Sequence, residues 1–312
     1  TTCLVNQATS VDTLTVIAGG TLMQTNWSAK LTANAMTIAG AVQPVGPVTN
    51  AADMSRIWLA ATNFFLAGTG KLEADGRGFD VTNQISYGPG AGTPDNLRGA
   101  GGSYGGKGGN SVFWGVSGTN YGSVAEPSDL GSAGTYGHSS YVYGGGAGGG
   151  AIRIEAGQAV LNGTVSANGA LGRDYGGAGS GGSVWLTCAS LAATGGVIQA
   201  NGGRPNDPNS GHGGGGRIAI HCASPDANLQ LRCYAYPGIG TGLPGTEQGI
   251  YGQMGTLYLS DVSLLNVNLG LCSGVRLALP VITNHWIAPS PLVIPSNTWV
   301  VLSESNFTFE AA

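Results

Sequence analysis

Between Gly144 and Ala223 one pattern is written three times: a glycine-rich run, a short apolar segment, a polar turn, a second short apolar segment, and then Asn-Gly. The first copy is GGGAGGG followed by AIRIEAGQAVLNGTVSANG, Gly144 to Gly169. The second is GGAGSGG followed by SVWLTCASLAATGGVIQANGG, Gly176 to Gly203, and a third opens with GHGGGGRIAIHCA, Gly211 to Ala223. Self-similarity at a period of a few tens of residues marks stacked units, each of which buries its apolar face only against its neighbours.

The same unit can be followed outward from this block. LTVIAGGTLMQ from Leu14 and LTANAMTIAGAVQ from Leu31 each set two β-prone segments around a small-residue corner, without the i, i+3, i+4 spacing of an amphipathic helix. RIWLAATNFFLAGTGKLEADGRG from Arg56 aligns its triplet Ile57-Trp58-Leu59 with Ile152-Arg153-Ile154, Val184-Trp185-Leu186 and Ile218-Ala219-Ile220. Strand alternation then sends the first and third residue of each triplet inward and the middle one outward. Asp75-Gly76, Asn168-Gly169 and Asn201-Gly202 align as corners at which positive φ is expected. GTLYLSDVSLLNVNLGLCSG from Gly255 reads as a diverged fifth copy, and PLVIPSNTWVVLSESNFTFEAA from Pro291 as strand.

These features predict an all-β, single-stack parallel β-helix (β-solenoid). The expected division is a solenoid over 1–274, a Gly/Tyr-rich insertion over 79–150, and a C-terminal β extension over 275–312, the last a candidate inter-subunit strand. Every glycine run leaves the stack at the same corner. Two readings fit the runs: disordered linkers, or extended polyglycine-II strands with three residues per turn packed side by side. Recurrence at every unit favours packing.

Aligned triplets put Cys188 level with Cys222, and Cys233 level with Cys272. Neighbouring strands lie about 4.8 Å apart, within disulfide range. The expected bonds are therefore Cys188 with Cys222 and Cys233 with Cys272; a ladder of buried thiols, or the local pair Cys222 with Cys233, is the alternative. Cys3 is left over for a bond to another chain.

Catalytic and ligand signals are thin. Gly144, Gly146 and Gly149 satisfy GxGxxG only because the run is nearly all glycine, and AIRIEA after it is a strand where a dinucleotide site needs a helix. Gly101-Gly102-Ser103-Tyr104-Gly105 matches GxSxG without the strand and helix of a nucleophile elbow. His138, His212, His221 and His285 show no metal-ligand spacing. Asp75, Asp174 and Asp207 read as turn formers, with a calcium site at one of them as the alternative. The outward charges Arg153, Glu155 and Arg217 do not make the carboxylate cluster that glycosidic chemistry requires. Trp58 and Trp185 recur at the outward position, either as a sugar-stacking strip or covered by the insertion. Asn26, Asn162 and Asn306 sit in Asn-x-Ser/Thr sequons. The sequence predicts no cofactor and no metal site.

Only 9% of the 312 residues are charged, and the 12 Lys and Arg are scattered singly, so no basic patch exists for nucleic acid. No apolar run reaches the roughly 20 residues of a membrane span. The chain begins at Thr1, which fits a removed leader and a secreted or cell-surface location.

The pattern ANGG, glycine run, [IV]x[IL], from Arg56 and then Gly144 to Gly274, resembles Gly-rich β-helical repeats of large bacterial surface and adhesin-like proteins. The resemblance implies an extracellular, non-catalytic role. The expected function is a structural subunit of a filament: a homopolymer assembled head-to-tail, with Leu292, Ile294, Trp299, Val301, Phe307 and Phe309 of the tail meeting Thr13, Leu14, Val16 and Leu22 of a neighbour. The alternative is a carbohydrate-binding or adhesive module using Tyr104, Tyr121, Tyr136, Tyr141 and Tyr143, with glycans as partners. A polysaccharide lyase or hydrolase is third.

Overall fold

The structure, a computed structural model, describes residues 2–50, 56–95, 97–137, 144–238, 250–261, 263–268, 272–279, 285–288, 300–302 and 308–311. Nearly all of it is β, in two long parallel sheets between which the chain alternates. One sheet has eight strands, in the order Thr2–Val5, Thr21–Gln24, Ala41–Pro44, Lys71–Glu73, Thr164–Ser166, Thr194–Gln199, Gln230–Tyr234 and Cys272–Ser273. The other has nine: Thr9–Val16, Leu31–Ile38, Arg56–Leu66, Ala151–Leu161, Ser183–Ala192, Arg217–Pro225, Gly255–Leu259, Val275–Ala278 and Val300–Leu302. This second sheet continues past residue 274, so the boundary expected there falls within it.

The core is built from rows of like residues in register. Leu31, Leu59, Ile154, Leu186, Ile220 and Leu259 form one inward row, and Ile57, Ile152, Val184, Ile218, Leu257 and Leu277 a second. From the other sheet come Leu22, Val42, Leu72, Val165, Ile198, Cys233 and Cys272. All are buried. Apolar burial at about 25 cal/mol per Å² drives this arrangement, and the period of two holds each row on one face. The triplets thus point as their alternation predicts, with one exception: Ala219, a middle residue, is also fully buried.

Two kinds of corner join the sheets. From the nine-stranded to the eight-stranded sheet the turn is tight, as at Gly40, where a Cβ would stand 2.3 Å from the carbonyl oxygens of Ile17 and Gly20. The return corner carries Asp75, Asn168 and Asn201. Positive φ was expected at all three following glycines, yet only Gly76 has it, at 60°. At Gly169 and Gly202 the need is for space: a Cβ would meet the oxygens of Gly179 and Gly213 at 2.1 Å each. The polar side chains run a ladder instead. Asp75 Oδ1 accepts from Asn168 N at 2.7 Å, Asn168 Oδ1 from Asn201 N at 2.8 Å, and Asn201 Oδ1 from Tyr236 N at 2.9 Å.

Beyond this corner the glycine runs pack together as extended segments with a hydrogen-bond period of three. Gly177 and Ser180 donate to Thr135 and Ser132; Ala178 and Gly181 donate to Gly211 and Gly214; Gly176, Gly179 and Gly182 donate to Arg173, Ala170 and Ala167, all at 2.7 to 3.1 Å. In the same phase Gly146 and Gly149 donate to Gly177 and Ser180, and Gly211 and Gly214 to Gly99 and Gly102. Each segment therefore bonds to neighbours in three directions, which a flat sheet does not allow. Of the two readings of the runs, the disordered linker is excluded for these residues. Side chains are excluded from most positions, since at Gly177 a Cβ would lie 1.9 Å from Ala100 O.

One element departs from expectation. Residues Ser263–Asn268 form a short α-helix within the segment read as a diverged fifth copy of the two-strand unit. Leu264 and Leu265 are buried in the core, so the apolar pair is used inward by a helical turn.

Candidate functional site

Thr2–Val5 and Thr9–Val16 are the outermost described strands at one end of the stack. Among the described residues no strand pairs with the outer edge of either. Cys3 heads the inward row that continues into Leu22 and Val42, and Val11 heads the row of Ala33, Ala61, Ala156, Cys188 and Cys222. Deeper in the stack these rows are closed off, but Cys3 and Val11 are exposed, and Leu4 and Ile17 are 58% and 69% exposed. Of the expected assembly residues, Thr13 is exposed, Leu14 half-buried, and Val16 and Leu22 buried.

At the far end of the nine-stranded sheet Val301 pairs with Arg276 and is 41% exposed. Phe309 stands opposite Trp286 in a separate parallel pair, His285–Ala288 with Thr308–Ala311, where His285 Nε2 and Glu310 Oε2 are 3.1 Å apart. Leu292, Ile294, Trp299 and Phe307 lie outside the described residues.

Cys188 is in register with Cys222, and Cys233 with Cys272, on adjacent strands. All four are buried free thiols, and Cys3 is an exposed one. The hydrogen bond with Cys272, added to complete burial, pushes the Cys233 thiol well up.

Among the described residues, the expected ligand tyrosines do not line a common surface. Tyr104 is fully buried, so its ring is closed to a ligand at the surface. Its Oη lies 2.7 Å from Ser183 Oγ, which donates to Asp129 O at 2.6 Å. Tyr121 packs on it at 4.7 Å between ring centroids and reaches Ser132 Oγ at 2.9 Å. Together they clamp the insertion to the sheet. Tyr136 is half-buried; Tyr141, Tyr143 and His138 lie outside the described residues.

The outward tryptophans form neither a bare strip nor a simply covered one. Arg153 sits between them, its guanidinium 4.7 Å from the Trp58 ring and 3.9 Å from the Trp185 ring, while Lys30 lies 4.5 Å from Trp58. Glu155 neutralises the stack, with Lys30 Nζ at 2.8 Å and Arg153 Nη2 at 2.6 Å. Burial alone would raise the Glu155 pKa, but the Lys30 hydrogen bond and the two cations outweigh it and hold the carboxyl below its ordinary value. Glu155 is thus an ionised strut and poorly suited to general acid work.

His212 is buried with its ring 4.9 Å from Tyr251, and burial, aided by Arg204, lowers its pKa to about 4. His221 Nε2 lies 2.7 Å from Ala125 O. No group of three His, Cys, Asp or Glu is placed to hold a metal among the described residues, and none of their helices is long and apolar enough to cross a membrane.

Reading the repeat marks Arg217 as an outward charge but passes over the row it shares with residues just before the neighbouring triplets. Arg217, Thr256 and Arg276 share one register position on three adjacent strands. The recurring Arg-[Ile/Leu] of RIWL, RIAI and VRLA is the signal that marked it.

No protein-family model, curated protein or solved structure matches this chain.

Proposed function

We propose that the chain is a structural subunit of an extracellular filament, built as a two-faced β-solenoid with a polyglycine-II bundle along one side. The alternation of successive strands between two parallel sheets supports the solenoid, and the three-directional hydrogen bonding with a period of three supports the bundle. The observation that carries the assembly reading is this end of the stack, where among the described residues neither sheet edge is paired and two inward rows reach solvent. Unpaired edges template further strands, and a second copy stacked in the same register continues the sheets without closing a ring. The very low charge of the chain suits a surface that packs laterally.

Negative-stain electron microscopy of the full chain across a dilution series tests this. Filaments of uniform width are expected, and Val11→Lys, which sets an inward-pointing charge on the open edge, abolishes them. Monomers at every concentration would sink the filament reading. Filaments that persist in a chain cut after Pro291 would remove the tail from the contact.

A further inference from the structure

Two arginines share one small cavity on the outward face of the nine-stranded sheet, and no carboxylate lines it. Their Cα atoms are two strand spacings apart, about 10 Å, with Thr256 between them in register. The cavity, about 390 Å³, is lined by Arg217, Thr256, Tyr258 and Arg276 from the sheet and closed by Gly105, Asn120 and Val124 of the insertion. Asn120 is exposed, so the cavity reaches solvent at its rim.

The arginines are only partly occupied. Arg217 donates from Nε and Nη2 to Tyr121 O at 3.0 and 2.8 Å, and from Nη1 to Thr256 Oγ1 at 3.2 Å. Arg276 Nη2 donates to Gly105 O, while its Nε is buried without a partner. Neither guanidinium makes an ion pair among the described residues. Burial lowers the pKa of both arginines; Asp129, which makes no ion pair with Arg217, partly offsets this at Arg217, and the Arg217 charge lowers that of Arg276 further. Buried charge without a paired counter-ion is costly, and guanidinium stays protonated, so the cavity holds two cations that no carboxylate in its lining pairs with.

We propose that this cavity binds an oxyanion, a sulfate, phosphate or carboxylate group, on Arg276 and Arg217 with the Thr256 hydroxyl between them. Planar guanidinium donors match such groups, and the two source classes are a free inorganic ion and an acidic sugar.

The test is thermal unfolding and calorimetric titration of the full chain with sodium sulfate, sodium phosphate and sodium glucuronate, against sodium chloride at matched ionic strength and neutral glucose. A saturable rise in melting temperature with at least one oxyanion, absent with chloride and glucose, is expected. Arg276→Gln, at a half-buried side chain, should weaken that binding at least tenfold, and Thr256→Val several-fold. Preference for inorganic ions or for glucuronate assigns the source. Lack of saturable binding by any of the three anions overturns the proposal. So does equal binding by wild type and Arg276→Gln or, should that variant fail to fold, by wild type and Thr256→Val.

Discussion

Asn168 Oδ1 accepts the backbone N–H of Asn201, one strand further along the stack, at 2.8 Å, while its Nδ2 donates back to Asp75 Oδ2 at 3.2 Å. The corner is therefore held by side chains acting as the acceptors a sheet would otherwise supply. Asn168→Ala removes both bonds and leaves the Asn201 amide unsatisfied, at a cost of about 1 to 3 kcal/mol. Urea unfolding should show a lower midpoint at unchanged slope.

Glycine in the bundle is required for space. Gly177→Ala sets a methyl 1.9 Å from Ala100 O, whereas at Gly68 the nearest atom to a Cβ is 3.9 Å away. Gly177→Ala is expected to destabilise the fold by several times the ~1 kcal/mol ordinarily attached to a glycine change, while Gly68→Ala is neutral or slightly stabilising. Paired denaturation curves read the difference.

Tyr104 ties the insertion to the sheet through Ser183. Tyr104→Phe removes that hydroxyl and costs about 1 kcal/mol. Tyr104→Ala also removes a buried ring, at roughly 3 to 5 kcal/mol. Limited proteolysis should cut within 79–150 first in Tyr104→Ala.

Cysteine chemistry reports on register. After mild oxidation, non-reduced peptide mapping should find Cys188 joined to Cys222 and Cys233 to Cys272, because each pair is in register on adjacent strands. Under native reducing conditions a thiol reagent should label Cys3 first, since the other four are buried. A Cys222 to Cys233 link would contradict the pairing.

Stability should fall with acid in two windows. The His212 pKa is lowered to about 4 by burial and Arg204, so the unfolded chain binds its proton first. Stability present above the ordinary value of about 6.5 is lost as pH falls toward 4. Burial would raise the Asp95 pKa, but its bonds from the amides of Arg98, Trp114 and Leu97 and from the Ser111 hydroxyl outweigh it and lower the pKa. Its contribution is lost below the ordinary carboxylate range, by the same sign. His212→Asn should flatten the first window and Asp95→Asn the second in unfolding measured against pH.

The repeat was legible because it is written in residue type. Inward β-branched and leucine positions, cysteines at equal offsets and Asn-Gly corners each obey a local rule of alternation or turn chemistry, and the register rows follow those alignments. Other features depended on distance through space. Strand Thr2–Val5 carries no Gly corner to announce it, and Ser263–Asn268 turns helical because its two leucines reach the core that way. The burial of Tyr104, the Arg153 wedge between Trp58 and Trp185, and the cavity of Arg217 and Arg276 arise where a long insertion folds back on a sheet. By itself, then, the sequence determined the two-sheet parallel stack and its cysteine register, since periodicity along the chain is enough to specify which residues share a row. Only the tertiary structure decided that the glycine runs pack in three directions and which polar groups meet beneath the insertion. Those contacts join residues tens of positions apart, whose meeting no local pattern encodes.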